Sequence, residues 1–276
     1  APAVLHETRW YPLLDLAAEL AQNPEFRLSF DTSDIGPLLR SPWLSGATGV
    51  RRAIADILKA SIKATSRGMA SDATTLLLDE TAPKSGNSEA GGIIRVHPLG
   101  GLAIMMQPFH LIVEDEHSDG GFLLWMARLI GRDEVIRAYR SGRLLFRHAG
   151  GKGQLAKSAS ALSAGVWPRP NNEIIALKHR CAAMLDSDAR FPGDQPNAGI
   201  VQTLTDRVAF THMLRSKTIE NYVPRKYFRR RMAADALEHR ADAFFQLTEE
   251  QRAFFPIKSG FVAGAPPQPL SRAAFA

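Results

Sequence analysis

HLIVEDEHSD (residues 110–119) and CAAMLDSDAR (residues 181–190) decide how this chain reads. Each is an apolar run that ends abruptly in acid, Glu114 closing the first and Asp186 and Asp188 the second. Apolar runs of about four to six residues bounded by turn-formers read as strands of a parallel sheet buried on both faces. In an open α/β sheet, ligand chemistry collects beyond the carboxyl ends of such strands. Three carboxylates gathered at two strand ends repel one another unless a cation joins them. A magnesium site at the sheet edge is therefore expected.

Outward from these stretches, strand and helix alternate. A strand over 109–113 is followed by a helical segment from Ser118, with Leu123, Met126, Ala127 and Ile130 on one face and Gly131 at its end. A second strand over 144–147 closes in HAGGKG, and 154–164 is helical up to the break WPRPNN. A third strand over 182–185 ends in Asp186, 200–208 is helical again, and 210–214 makes a fourth strand leading to KTIENYVP. This rhythm predicts an α/β fold, a parallel sheet with crossover helices on its faces, over residues 108–232.

Residues 1–107 read as an α-rich accessory region. Leu13, Leu14, Leu16, Ala17 and Leu20 form a helical stripe stopped at Asn23-Pro24, and Val50, Ile54, Ile57, Leu58 and Ile62 form another. PKSGNSEAGG (83–92) is a loop by composition, and the short apolar runs 93–96 and 102–106 around HPLGG predict a hairpin. Residues 233–276 form a short helical extension. It holds a helix around 236–245, a capping box from Thr248 to Gln251, and a loosely ordered tail from Ala263.

With 276 residues the chain can bury a large core without covalent help. Its single cysteine, Cys181, lies within an expected buried strand, which excludes a disulfide framework and points to a reducing compartment, the cytoplasm. No apolar run approaches the roughly 18 residues of a membrane span, and the first residues lack the layout of a signal peptide. No membrane partner is expected. A net charge of +6 and a pI near 9.7 lean toward an anionic partner.

Asp186 and Asp188 are spaced i, i+2, which on extended backbone turns both carboxylates to one side. Hard cations such as Mg²⁺ take oxygen ligands and bind through carboxylates together with substrate phosphate. Glu114 completes the cluster or serves as a base on water; the competing reading has these acids capping helices and turns. Gly150–Gly153 (GGKG) lies between strand and helix, where backbone amides and Lys152 can hold a phosphate, although a simple tight turn reads equally well. No Walker A spacing is present, which argues against intrinsic ATPase activity. Glu220, in TIENYVP, is either a ligand for a second metal or a helix-start acid. RKYFRRR (225–231) suits phosphate contacts with interleaved Tyr227 and Phe228, or forms a solvated helix face. The histidines show no zinc spacing with Cys181, and His117 and His148 stand near the expected site.

LIVEDEHSDGGFL, HAGGKG, AAMLDSDARFPGD and LRSKTIENYVP, taken in order, resemble a Toprim domain, most of all that of the OLD-type (overcoming lysogenization defect) nucleases and related phage-defence effectors. The resemblance covers residues 109–225. It implies a Toprim-like sheet and a Mg²⁺- or Mn²⁺-dependent nuclease with one or two ions. Glu114 matches the first-strand glutamate, Asp186 and Asp188 the DxD pair, and Asp119 or Ser118 the second acid of the first motif. Asp115 stands where a glycine is usual. Thr218-Ile-Glu220 is similar to the S-x-E element with threonine for serine, and Lys258 corresponds to the late lysine of those nucleases. The implied partner is DNA or RNA, an ATPase partner would act in trans, and a homo-oligomer is compatible with the reading. The rival is a non-catalytic Toprim module that binds nucleic acid or a partner ATPase. Topoisomerase chemistry needs a nucleophilic tyrosine domain, for which Tyr11, Tyr139, Tyr222 and Tyr227 offer no candidate.

Overall fold

A computed structural model describes residues 2–20, 32–46, 55–57, 59, 62–63, 75–82, 87–90, 93–164, 177–234 and 238–260. The chain divides into two compact units, residues 1–107 with 167–177, and residues 108–166 with 178–276.

In the first unit, helices α1 (Pro2–His6), α2 (Tyr11–Leu20), α3 (Thr32–Leu39) and α4 (Pro42–Ser45) bury Leu5, Tyr11, Ala18, Leu38 and Trp43 together. The apolar stripe expected at 13–20 is α2. Strands β1 (Thr75–Leu78), β2 (Asn87–Ala90) and β3 (Ile93–Val96) form a sheet in the order β1-β3-β2, the first pair parallel and the second antiparallel. Two expectations are corrected here. The stretch 83–92 is not all loop, because its second half pairs as β2. The hairpin around HPLGG is absent: 93–96 is a strand, but the next apolar run belongs to helix α5 (Pro98–Met106). The His97 side chain accepts a hydrogen bond from the Leu99 amide at 3.3 Å, and Pro98 sits at the first helical position, where its missing N–H costs nothing. Ile104 then packs on Ile94 and Val96. The Asn23-Pro24 stop, most of the helix expected over 50–62, WPRPNN and the tail from Ala263 lie outside the described residues.

The second unit is built on a four-stranded sheet of β4 (Phe109–Val113), β5 (Leu144–His148), β6 (Cys181–Leu185) and β7 (Phe210–Met213). Their order is β5-β4-β6-β7, and every pair is parallel. The two strands that carry the acids are neighbours in register, His110 beside Cys181 and Ile112 beside Ala183. Parallel strands need covered crossovers. Helices α6 (Gly121–Leu129) and α7 (Asp133–Arg140) join β4 to β5, α8 (Leu155–Ala164) joins β5 to β6, and α9 (Ala198–Leu204) joins β6 to β7. Alternate residues sort between the faces. Ile112, Cys181, Ala183 and Leu185 pack with Leu155, Ala159 and Leu204, while Val113 and Met184 pack with Leu214, Ile219, Phe122 and Leu123. All five residues of β6 are buried, which explains its unbroken apolar sequence.

Beyond β7 a short 3₁₀ turn (Ile219–Tyr222) leads into α10 (Arg225–Ala233), then α11 (Glu238–Gln246), α12 (Glu249–Phe254) and the short α13 (Ile257–Gly260). The expected capping box is present: the Gln251 amide donates to Thr248 Oγ1 at 3.2 Å and the Thr248 amide to Gln251 Oε1 at 2.9 Å. Phe228 is the core side of α10, stacked on Phe244 at 5.2 Å, rather than a surface aromatic available to a ligand.

Candidate functional site at the carboxyl edge of the sheet

Glu114 is the first residue past β4, where the chain leaves the sheet. Lys152 reaches the same edge because Gly150 and Gly151 take φ of 77° and 103°, a conformation open to glycine, and turn β5 sharply into α8. The Ala149 amide donates to the Val113 carbonyl at 2.9 Å and fixes this turn against β4. Lys152 Nζ is ion-paired with Asp188 and lies 3.5 Å from Glu114 Oε1.

The Asp186-Ser187-Asp188 loop is held from three directions. The Ile219 amide donates to Asp186 Oδ1 at 3.2 Å. Ser187 Oγ donates to the Ser216 carbonyl at 2.8 Å, and the Asp188 amide to the Lys217 carbonyl at 3.0 Å. Asn197, itself buried, directs Nδ2 at the carbonyls of Asp186 (2.8 Å) and Ser187 (3.1 Å) and at Asp188 Oδ2 (3.2 Å). Asp188 is the one non-glycine residue of positive φ, 53°, among those described. The extended backbone assumed for the Asp-x-Asp spacing therefore ends at this residue. The turn sends Asp188 toward Lys152 while Asp186 faces the start of the 3₁₀ turn.

Glu114, Lys152, Asp186, Asp188, Lys217, Thr218, Pro256, Ile257 and Lys258 line one cleft of about 230 Å³. Glu220 lies 3.4 Å from Lys258 Nζ. Asp119 belongs to the turn after β4, where its Oδ2 accepts from the Asp115 amide at 3.0 Å, and its charge is felt at Glu114 and Asp186. The predicted residues Glu114, Lys152, Asp186 and Asp188 thus share the cleft, with Glu220 and Asp119 beside it. His148 pairs instead with Asp115, 3.9 Å away, and both are about half exposed. His117 stands exposed on the same turn.

Burial raises the pKa of Glu114, an effect that Lys152 opposes and that Asp119 and Asp188 reinforce. Burial likewise pushes Asp186 up to about 7; Lys152 and Lys258 oppose this, while Glu114 and Asp119 add to it. At Lys258 burial disfavours the ammonium, but Glu220, Asp186 and Asp119 outweigh it and raise its pKa. Clustered acids whose charge is costly, interleaved with lysines, make a site suited to binding a cation or moving protons near neutral pH.

Sequence reasoning missed Asn197 and Lys217. Asn197 stands immediately before α9, yet its side chain makes no capping bond and serves the acid loop instead. Lys217 Nζ donates to the Asp188 carbonyl at 3.1 Å, a contact with no local sequence signature.

Fold and cleft together define an α/β protein with an acid–lysine site at the carboxyl edge of a parallel sheet. No protein-family model matches the chain, and neither the curated proteins nor the solved structures give a significant match.

Proposed function

We propose that the chain is a Toprim-type nuclease that hydrolyses phosphodiester bonds of DNA or RNA with Mg²⁺ or Mn²⁺. The observation that carries this reading is the convergence of Glu114, Asp186 and Asp188 on one cleft, with Glu220 beside it, whose buried Oε2 has no hydrogen-bond partner. A buried acceptor without a donor is costly, and a cation satisfies it. The donor set, all carboxylate oxygen, suits a hard ion. Among the described residues no three His, Cys, Asp or Glu side chains stand at metal-ligand spacing. Lys152 lies between Glu114 and Asp188, and Lys258 beside Glu220, so loading requires these ammonium groups to turn outward. Glu114, Asp186 and Asp188 would hold the first ion, and Glu220 with Asp119 a second.

Such an ion supplies charge stabilisation on phosphorus and a more acidic bound water. Lys152, Lys217 and Lys258 orient the scissile phosphate and offset the charge of the acids. Burial makes the Asp186 charge costly, and an ion beside it would offset that cost. The implied setting, a defence or toxin-like effector working with an ATPase supplied in trans, follows from the resemblance alone. One observation favours the rival, a non-catalytic binding module: Lys152 already pairs with both Glu114 and Asp188 without a metal.

The test incubates plasmid DNA and structured RNA with wild type, Glu114→Gln and Asp186→Asn, in Mg²⁺, Mn²⁺ or EDTA. Metal-dependent cleavage lost in both folded variants supports the nuclease. Binding of nucleic acid without cleavage under every condition leaves the binding module.

A further inference from the structure

A polynucleotide whose scissile phosphate sits in the cleft extends beyond it, and its neighbouring nucleotides need a surface of their own. Helix α10 begins five residues after Glu220 and carries five basic residues over residues 225–231. At about 100° per residue its faces separate cleanly. Phe228 faces the core. Arg225 and Arg229 turn toward Asp242 of α11, at 3.2 and 3.3 Å. Lys226 and Arg230 lie on the side opposite Phe228, exposed, with no carboxylate partner among the described residues. Arg225, Lys226, Arg229, Arg230, Ala233 and Glu238 line an open groove of about 680 Å³.

The flank of α10 is aromatic. Tyr227, 36% exposed, meets Trp125 of α6 edge to face at 5.0 Å. Trp125 packs on Phe122 at 6.1 Å, and Phe122 on Tyr222 at 6.4 Å. Tyr222 in turn accepts a hydrogen bond from the Ser216 amide at 2.9 Å. A ladder of rings thus runs from the 3₁₀ turn that bears Glu220 out to the surface of α10.

We infer that this face of α10 is a binding track for a single-stranded polynucleotide, with phosphates on Lys226 and Arg230 and an unpaired base stacked on Tyr227. The inference deepens the nuclease reading and rests on it for the direction of the strand toward the cleft. A basic groove alone fits any polyanion, but an exposed ring beside the basic residues rewards a polymer whose base faces are free. In a duplex those faces are covered by neighbouring pairs, and Tyr227 has nothing to stack on. Single-stranded DNA and RNA share this chemistry.

The experiment is filter binding in EDTA, where no cleavage is needed, with oligothymidylate, oligouridylate and a duplex of equal length. Single strands should bind at least about tenfold tighter than duplex. Tyr227→Ala should weaken single-strand binding by roughly 5- to 150-fold, the range of one lost base stack, with duplex binding unchanged and Tyr227→Phe retaining affinity. Replacing both Lys226 and Arg230 with glutamine should lower the salt slope on single strands by about 1.4. Oligothymidylate against oligouridylate tells DNA from RNA preference. Duplex bound as tightly as single strands, or Tyr227→Ala without effect in a folded protein, overturns the inference, and weak binding of all three polymers does so in favour of an acidic protein partner. Cleavage by wild type with a neutral Tyr227→Ala defeats the track and spares the nuclease; predicted binding without cleavage does the reverse.

Discussion

Replacing Asn197 with alanine removes the one side chain that spans all three residues of the acid loop. Its Nδ2 approaches the carbonyls of Asp186 and Ser187 and the carboxylate of Asp188 at 2.8, 3.1 and 3.2 Å. Two N–H groups serve these three acceptors, so two full hydrogen bonds are lost. Each is worth about 1 kcal/mol net, and acceptors left dry in the interior cost roughly 1–3 kcal/mol more. Water reaches the half-buried acids but not the Ser187 carbonyl beside a side chain that is itself 6% exposed. The expected loss is about 3–5 kcal/mol of folding stability, read by urea unfolding followed by circular dichroism. Asn197→Asp, which keeps the shape but replaces the donor with an acceptor beside Asp188, should lose at least as much. A change below about 0.5 kcal/mol in Asn197→Ala, with an unchanged urea slope, refutes the argument that this amide holds the loop.

Two further outcomes follow from other parts of the fold. His110 is buried and accepts from Arg147 Nε at 3.1 Å, and burial, helped by Arg147 and Arg180, pulls its pKa down to about 4. The unfolded chain therefore binds the extra proton between about pH 6.5 and 4. The neutral histidine's contribution is complete above pH 6.5 and lost as pH falls through 4. That loss is about 3.5 kcal/mol at about 1.4 per pH unit, and His110→Gln should flatten the pH profile of unfolding in this window; an unchanged profile contradicts the assignment. A Cβ at Gly120 would stand 2.9 Å from Phe146 Cγ, and that ring is backed by Tyr139 at 5.5 Å, so Gly120→Ala should cost about 1–3 kcal/mol in thermal unfolding. A variant as stable as wild type shows that Phe146 moves aside freely.

The sheet of the second unit was legible because parallel strands buried on both faces write continuous apolar runs, and because each run here ends at a turn or an acid. Cys181–Leu185 is the clearest instance. The helix at Pro98–Met106 was misread because a short apolar run has no period of its own, and the deciding contact, His97 to the Leu99 amide, is a matter of side-chain geometry. Strand Asn87–Ala90 was missed for a related reason: its composition is that of a turn, and pairing to Ile93–Val96 overrides it. At the candidate site the residues at strand ends were visible, since position in the sheet dictates where they point. Asn197 and Lys217 were not, because their contacts join loops distant in sequence, and Asp188 turns out of the extended line that its spacing suggested.

The ring ladder from Tyr222 to Tyr227 also equips the second unit with its own optical probe. Of the four tryptophans, Trp10 and Trp43 are described residues of the first unit, Trp167 lies outside the described residues, and Trp125 belongs to the second unit. Its indole touches the helix that bears the exposed basic residues, so its emission will respond to whatever settles on α10. Phenylalanine at the other three positions would leave a protein whose intrinsic fluorescence reports on that single helix, with no label attached.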